Sequence, residues 1–153
     1  MNFLLQSKAF NNNDPIPSKY TGEDINISPP LEWTNAPIGT KGFILVCDDQ
    51  DAPAGAWVHW VLYDIPPSVK SINEAIPRNK IVLGSAKHGI NDFDQIGYDG
   101  PMPPPGSPHR YVFKLYAVDK QTGLAPGLTK DEILKTIKPR IMAEAQMIGT
   151  YQR

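Results

Sequence analysis

One cysteine, Cys47, is all the thiol chemistry that the 153 residues contain. An internal disulfide framework is therefore excluded, and a reducing compartment fits. Charge of one sign is equally scarce, since 15 Lys and Arg stand against 16 Asp and Glu for a formal net charge of −1. Such a chain has no electrostatic footprint for nucleic acid or for an anionic membrane surface. No apolar run could span a bilayer, and between Met1 and Phe10 only Phe3-Leu4-Leu5 is apolar, far short of a secretory core. A cytoplasmic protein without a transmembrane segment is expected. Several chemical signatures are missing too. There is no HxxxH, HxH or CxxC spacing to open a metal site, no G-x-S-x-G nucleophile elbow and no Walker-type phosphate loop. No metal and no cofactor are expected.

Proline, by contrast, is abundant. Sixteen prolines are about twice the usual ~5% share. They are scattered in Pro-Pro and X-Pro pairs, which implies many stiff, ordered loops. Hydrophobic residues make up an ordinary 41%. The length suits one domain, residues 1–153, with a core that needs no staples.

Turn chemistry fills the first stretch, from Asn11 through Asp14-Pro15-Ile16-Pro17 to Tyr20-Thr21-Gly22. Ile25 and Ile27 alternate with polar neighbours until Ser28-Pro29-Pro30, and Leu31-Glu32-Trp33 is a short strand candidate. Gly42 to Asp48 is apolar on both faces, as a central strand would be. Trp57 to Ile65 is rich in aromatic and branched residues. Strict alternation there puts Trp57, His59, Val61, Tyr63 and Ile65 on one face and Val58, Trp60, Leu62 and Asp64 on the other. Ile81 to Leu83 is a weaker strand, and Lys87 to Gly106 is a long aperiodic loop, a length usually kept for function. His109 to Asp119 gives the cleanest alternation, with Tyr111, Phe113, Leu115 and Ala117 on one face. Thr129-Lys130-Asp131-Glu132 is a capping box that opens a helix to about Ile137, which Pro139 should break. The spacing of Ile141, Met142, Ala145 and Ile148 predicts a second helix over Arg140 to Ile148, capped by Gly149, with Thr150 to Arg153 as a last strand. Strands first and helices late point to a mainly β domain with short peripheral C-terminal helices.

Chemistry-bearing residues concentrate in Asp48-Asp49-Gln50-Asp51-Ala52-Pro53 through Trp57-Val58-His59-Trp60, between two strands. Gly100-Pro101 through Ser107-Pro108-His109-Arg110-Tyr111 repeats the arrangement, a stiff loop feeding a strand. The two loops are expected to meet around one anion-sized pocket. Beside three Asp residues, His59 could donate a ring N–H to a carboxylate, which fixes its tautomer and raises its pKa. The plainer reading is a core histidine satisfied by one backbone carbonyl. His88, in a polar loop, reads as a surface residue, and the Asp run reads equally as a solvated turn. Glycine in Gly97-Tyr98-Asp99-Gly100 would let backbone N–H groups approach an anion closely.

These segments resemble the phosphatidylethanolamine-binding protein (PEBP, Raf-kinase-inhibitor-like) family, in its bacterial branch. Asp49-Gln50-Asp51-Ala52-Pro53 is similar to the family's DPDAP box, Trp57-Val58-His59-Trp60 to its HW element, and Gly100-Pro101 through His109-Arg110-Tyr111 to its GP…HRY box. Ser28-Pro29-Pro30-Leu31-Glu32-Trp33 resembles SPPL.W, and Ala143-Glu144-Ala145 through Gly149-Thr150-Tyr151 resembles the bacterial closing segment. Two departures stand out: Gln50 replaces the first proline of DPDAP, and Pro139-Arg140 stands where the bacterial branch often has Gly-His.

The resemblance implies a large antiparallel sheet flanked by a smaller one, a cis bond at Ala52-Pro53, and a pocket for phosphate-like anions built from Asp49, Trp57, His59, Gly100, His109 and Tyr111. It implies a binder of a small phosphate-like anion or phospholipid head group rather than an enzyme, acting as a regulator or inhibitor of a protein partner such as a kinase or protease. A homodimer is compatible with it. The alternative is a hydrolase of phosphoesters or esters, metal-assisted or based on Asp49 and His59.

Overall fold

The strongest pattern in the chain, the alternation from His109 onward, becomes the longest uninterrupted ladder. In the computed structural model, which describes residues 2–153, it forms β8 (His109–Val118). The other strands are β1 (Leu4–Gln6), β2 (Leu31–Thr34), β3 (Gly42–Asp49), β4 (Trp57–Ile65), β5 (Ser71–Ile72), β6 (Ile81–Val82), β7 (Ala86–His88) and β9 (Ile141–Tyr151). A six-stranded antiparallel sheet runs in the order β6-β7-β4-β3-β8-β9, and a three-stranded one in the order β1-β2-β5. The chain is mainly β, as expected.

Both faces of the large sheet are covered, which explains why β3 has no polar face until its last two residues. On one side Phe43, Leu45, Cys47, Phe113 and Leu115 pack with Leu5, Leu31, Trp33 and Ile72 of the small sheet. On the other, Ile44, Val46, Val61, Tyr63, Tyr116 and Val118 pack with Ile133 and Ile137. Those isoleucines come from α1 (Lys130–Ile137), whose Thr129 and Glu132 form the anticipated capping box. A 3-10 turn at Lys138–Arg140 carries Pro139 out of the helix.

The second helix does not form. Residues Ile141–Tyr151 pair with β8 along its whole length, from Val118↔Ile141 to His109↔Tyr151. Met, Ala, Glu and Gln favour helix by only a few tenths of a kcal/mol each, whereas the bare edge of β8 offers a full ladder of hydrogen bonds. Ala145, Met147 and Gly149 are buried two apart, a strand period inside a helix-like composition. Gly149 is no helix cap; a Cβ there would overlap Ile16 and Phe10, so it lets the N-terminal segment press onto the sheet.

Strict alternation in β4 also fails. Its pairing with β3 slips twice, once between Leu45↔Leu62 and Phe43↔Ile65 and once between Cys47↔Trp60 and Asp48↔Val58. Each slip inserts one extra residue into β4, and a bulge re-aims the side chains beyond it. Trp60, Leu62 and Ile65 therefore join the core beneath the small sheet, while Val58, Val61 and Tyr63 face α1. The bulge at His59 turns that ring to the same side as Trp60 and Tyr111.

Candidate ligand-binding site

Alternation along β3 sends two neighbouring carboxylates to opposite faces. Asp48 points toward α1 and pairs with Lys130. Asp49 points the other way, level with Trp57 on β4 and Tyr111 on β8. His109, which opens β8, donates its Nδ1 proton to Asp49 Oδ2 at 2.7 Å. The other carboxylate oxygen accepts from the Asp51 amide at 2.9 Å. Asp49 thus fixes the tautomer of His109 and leaves Nε2 free, the role a carboxylate plays behind a functional imidazole.

Asp51 ties the loop to β8. Its carboxylate accepts from the Arg110 amide at 2.9 Å, from Nε at 3.0 Å and from Nη2 at 2.9 Å. The Arg110 guanidinium holds the Asp51 carboxyl down at about 2. All peptide bonds described are trans, so the Ala52-Pro53 bond is trans rather than cis. The reversal is made instead by the Asp49–Asp51 side-chain turn and by a Gly55 N–H to Ala52 O hydrogen bond of 3.1 Å, with Gly55 at φ +99. Glycine reaches that φ without the Cβ clash that turns other residues away.

His59 finds a carbonyl and not a carboxylate. Its Nδ1 lies 2.5 Å from the Asp99 carbonyl oxygen, and the Asp99 amide donates back to the His59 carbonyl at 3.1 Å. Burial pushes its pKa below the ordinary imidazole value, and the Asp99 hydrogen bond and nearby carboxylates do not offset it. The plainer of the two sequence readings, a core histidine satisfied by one backbone carbonyl, is thus the one observed, and the upward shift tied to a carboxylate partner does not arise. The Asp99 carboxylate is engaged by Arg78 Nη2 at 2.9 Å and Asn91 Nδ2 at 2.8 Å. His88 is likewise not a surface residue. It is 1% exposed, accepts from Trp60 Nε1 at 3.0 Å and bonds the Asn79 carbonyl through Nδ1 at 2.7 Å.

Asp49, Trp57, His59, His109 and Tyr111 line one cavity of about 350 Å³, within the usual size of small-molecule clefts. Ala52, Pro53, Ala54, Phe93, Met102, Pro103 and Pro104 supply the rest of its wall. The Phe93 ring meets those of Trp57 and His59 edge-on, at 5.7 and 5.2 Å. Tyr111, on the Phe113 and Leu115 face as expected, stands 5.2 Å from His59 at 87°. Its hydroxyl is buried and has no hydrogen-bond partner among the described residues. Burial, then the Asp49 charge and the closeness of its carboxylate to the hydroxyl, which falls short of ordinary hydrogen-bond geometry, hold the phenol far above its ordinary pKa.

Gly100 lies apart from this lining. Its amide donates to Asn26 Oδ1 at 2.7 Å, and a Cβ there would collide with the Tyr20 carbonyl, so the glycine permits a close backbone approach. The sequence reading passed over Asp99, Asn91 and Phe93. A lone aromatic between Asp92 and Asp94 in a polar loop was the available signal for Phe93. Asp99 acts through its backbone, which no side-chain pattern reveals. Among the described residues no group of three or more His, Cys, Asp or Glu side chains is disposed to hold a metal ion.

The family model for phosphatidylethanolamine-binding protein matches residues 6–152. The chain belongs to the phosphatidylethanolamine-binding protein family. A UPF0098 protein of Methanothermobacter thermautotrophicus is 42% identical over 149 residues, covering 97% of this chain and 98% of the relative. One of Aquifex aeolicus is 43% identical, covering 96% of this chain and 86% of the relative. Among solved structures, a PEBP homologue of Chlamydia trachomatis, CT736, superposes with a TM-score of 0.91 at 35% identity, covering 99% of this chain and 97% of that one. E. coli YbcL, described as a member of the mammalian PEBP family, gives 0.93 at 28% identity, covering 100% of this chain and 99% of that one. The PEBP fold expected from the sequence is thus the fold observed. No helix among the described residues is long and apolar enough to cross a membrane.

Proposed function

We propose that this PEBP-family chain binds a small phosphate-like anion, either free or as the head group of a phosphoester, holds it without turning it over, and acts as a regulator through a partner protein. The observation that carries this reading is Tyr111, a residue 1% exposed whose buried hydroxyl makes no hydrogen bond among the described residues and which lines one cavity with His59 and His109. Leaving a buried donor unsatisfied costs about 1–3 kcal/mol, and an anion oxygen would supply the missing acceptor. His109 Nε2 provides a second donor once the ring is doubly protonated, with Asp49 holding it in place. The apolar wall of Trp57, Phe93 and the prolines lowers the local dielectric and strengthens each of these bonds.

The Asp49–His109 pair also has the form of a general base, so turnover must be measured with binding. Calorimetry with methyl phosphate and with phosphoethanolamine should give saturable binding, and phosphorus NMR of the same mixtures should show the esters intact after prolonged incubation. Release of inorganic phosphate that disappears in His109→Ala would overturn the binding reading in favour of a hydrolase.

A further inference from the structure

β9 is the outer strand of the large sheet, and the chain itself covers part of its free edge. Ile148 donates its amide to Asn12 Oδ1 at 2.8 Å, and its carbonyl accepts from the Asn13 amide at 2.6 Å. Thr150 donates to the Asp14 carbonyl at 3.0 Å and accepts from the Ile16 amide at 2.7 Å. Residues whose N–H and C=O point away from the paired strand recur at every second position, and the β8–β9 register is unbroken from Tyr151 back to Ala143. Glu144 and Gln146 therefore direct their backbone donors and acceptors outward too, and neither finds an outer partner among the described residues. Where the N-terminal segment leaves the edge, a cavity of about 360 Å³ opens between β9 and β1, lined by Leu4, Leu5, Phe10, Gln146 and Met147. Exposed apolar side chains flank this edge: Leu4 on β1, Met142 on β9, and Ile38 in the loop whose Gly39 approaches the Met142 methyl. The exposed Glu144 side chain lies on the opposite face from Ala145 and Met147 and forms no ion pair among the described residues.

We propose that the Glu144–Gln146 stretch of β9 is a docking edge for an extended peptide of a partner protein, read in the order apolar, basic, apolar. The backbone of the added strand completes the open positions, as an exposed sheet edge invites. Its central Lys or Arg falls beside Glu144, a cross-strand neighbour on the same face. The residues on either side turn to the other face, which carries the cavity with Leu4, Leu5, Phe10 and Met147 and takes apolar side chains. A second copy of the chain fits poorly. Each β9 carries its own N-terminal segment outside Ile148 and Thr150, and the register that clears it with most overlap sets Glu144 against Glu144. This inference rests on the reading of the chain as a regulator with a protein partner, but not on the anion. Tyr116, which faces Glu144, is about 17 Å along β8 from Tyr111.

The test is amide hydrogen exchange, read by NMR on the intact chain, with the capped peptide Thr-Val-Lys-Val-Thr. In the free protein the Glu144 and Gln146 amides should exchange fast, while those of Ala145 and Met147, bonded to β8, are protected. Saturating peptide should protect Glu144 and Gln146, and methylating the backbone nitrogen of its lysine should abolish binding. Glu144→Lys should weaken this peptide by about 3- to 10-fold and favour Thr-Val-Glu-Val-Thr instead. No binding, binding that leaves both amides exchanging, amides already protected in the free protein, or equal binding of the Lys and Glu peptides would each overturn the proposal. Protection that grows with protein concentration alone, with a doubled mass in sedimentation, would give the edge to a second copy and overturn it too. Calorimetry with methyl phosphate keeps the two readings apart. Anion binding that persists while the peptide fails strikes the docking edge alone, and peptide binding without anion binding strikes the anion reading alone.

Discussion

β4 buries polar groups at both of its ends, and the two ends treat them in opposite ways. At one end Asp64, 2% exposed and at φ +53, accepts from Lys87 Nζ at 2.8 Å, the Thr122 amide at 2.7 Å, Thr122 Oγ1 at 2.9 Å and the Gly123 amide at 3.1 Å. Its carboxylate is saturated. At the other end His59 Nε2, and the hydroxyl of Tyr111 on β8 whose ring stands against it, have no protein partner among the described residues. A buried group with all its bonds made fixes the fold, whereas one with a bond missing raises the free energy of the empty protein and lowers that of a complex. His88, on the neighbouring β7, is the control. It is a buried histidine like His59, but both of its nitrogens are engaged.

The contrast breaks most visibly at the saturated end. Asp64→Asn keeps a residue that tolerates positive φ but removes the charge facing Lys87. It should lower the unfolding free energy by about 2–3 kcal/mol, read as a urea-midpoint shift at constant m, with anion affinity unchanged. A stability loss within 0.5 kcal/mol, roughly the scatter of surface substitutions, would show that this cluster does not hold the fold.

His88→Ala should cost about 2 kcal/mol, because it strands the buried Trp60 indole N–H and opens a small void. Anion binding should again be unaffected. Weakened binding would place His88 on the ligand side of the comparison.

Titration sharpens the picture with definite signs. Burial pushes the Asp64 carboxyl up, but Lys87 and the Thr122 donors outweigh it and hold the pKa below the ordinary value. Its contribution is present above the unfolded pKa of ~3.9 and is lost as pH falls through the lower folded value. His59 and His88 are both depressed, with burial as the chief cause. The unfolded chain therefore binds protons first, and stability should decline as pH falls below about 6.5. Thermal melts at successive pH values should show an early decline that is reduced in His88→Ala, with the His59 share remaining, and a later one that is reduced in Asp64→Asn, with the Asp51 share remaining. A melting temperature that holds steady from neutrality down to the carboxylate range would contradict the neutral histidines.

The smallest loss is the most diagnostic. Tyr111→Phe removes a buried hydroxyl that has no partner in the empty protein, so the variant should be at least as stable as the wild type, with a gain of up to about 1–3 kcal/mol. Affinity for methyl phosphate should fall by about 0.5–1.5 kcal/mol, the net value of one hydrogen bond. Loss of stability without loss of affinity would class Tyr111 with the saturated groups that hold the fold, as Asp64 does, rather than with the ligand side.

Much of this was legible along the chain because it depends on local pattern. Alternation in 109–118 gave β8 and the face on which Tyr111 lies, unbroken apolarity gave β3, and Thr129 with Glu132 gave the start of α1. Motif resemblance picked out Asp49, Trp57, His59, His109 and Tyr111, and all five line one cavity. What was missed depends on partners distant in sequence. Residues 141–151 became a strand because β8 had a bare edge, and the alternation of β4 broke because β3 pulled it into two bulges. Gly100 spends its amide on Asn26, and His88 is enclosed by Trp60 and Asn79. The protonation of His59 follows from burial and from a carbonyl some forty residues away in the chain. Residue type and spacing determined which elements and which side chains could take part. Register, burial and the donor or acceptor sense of each polar atom were decided only by tertiary packing, because hydrogen bonds and desolvation depend on what lies adjacent in space.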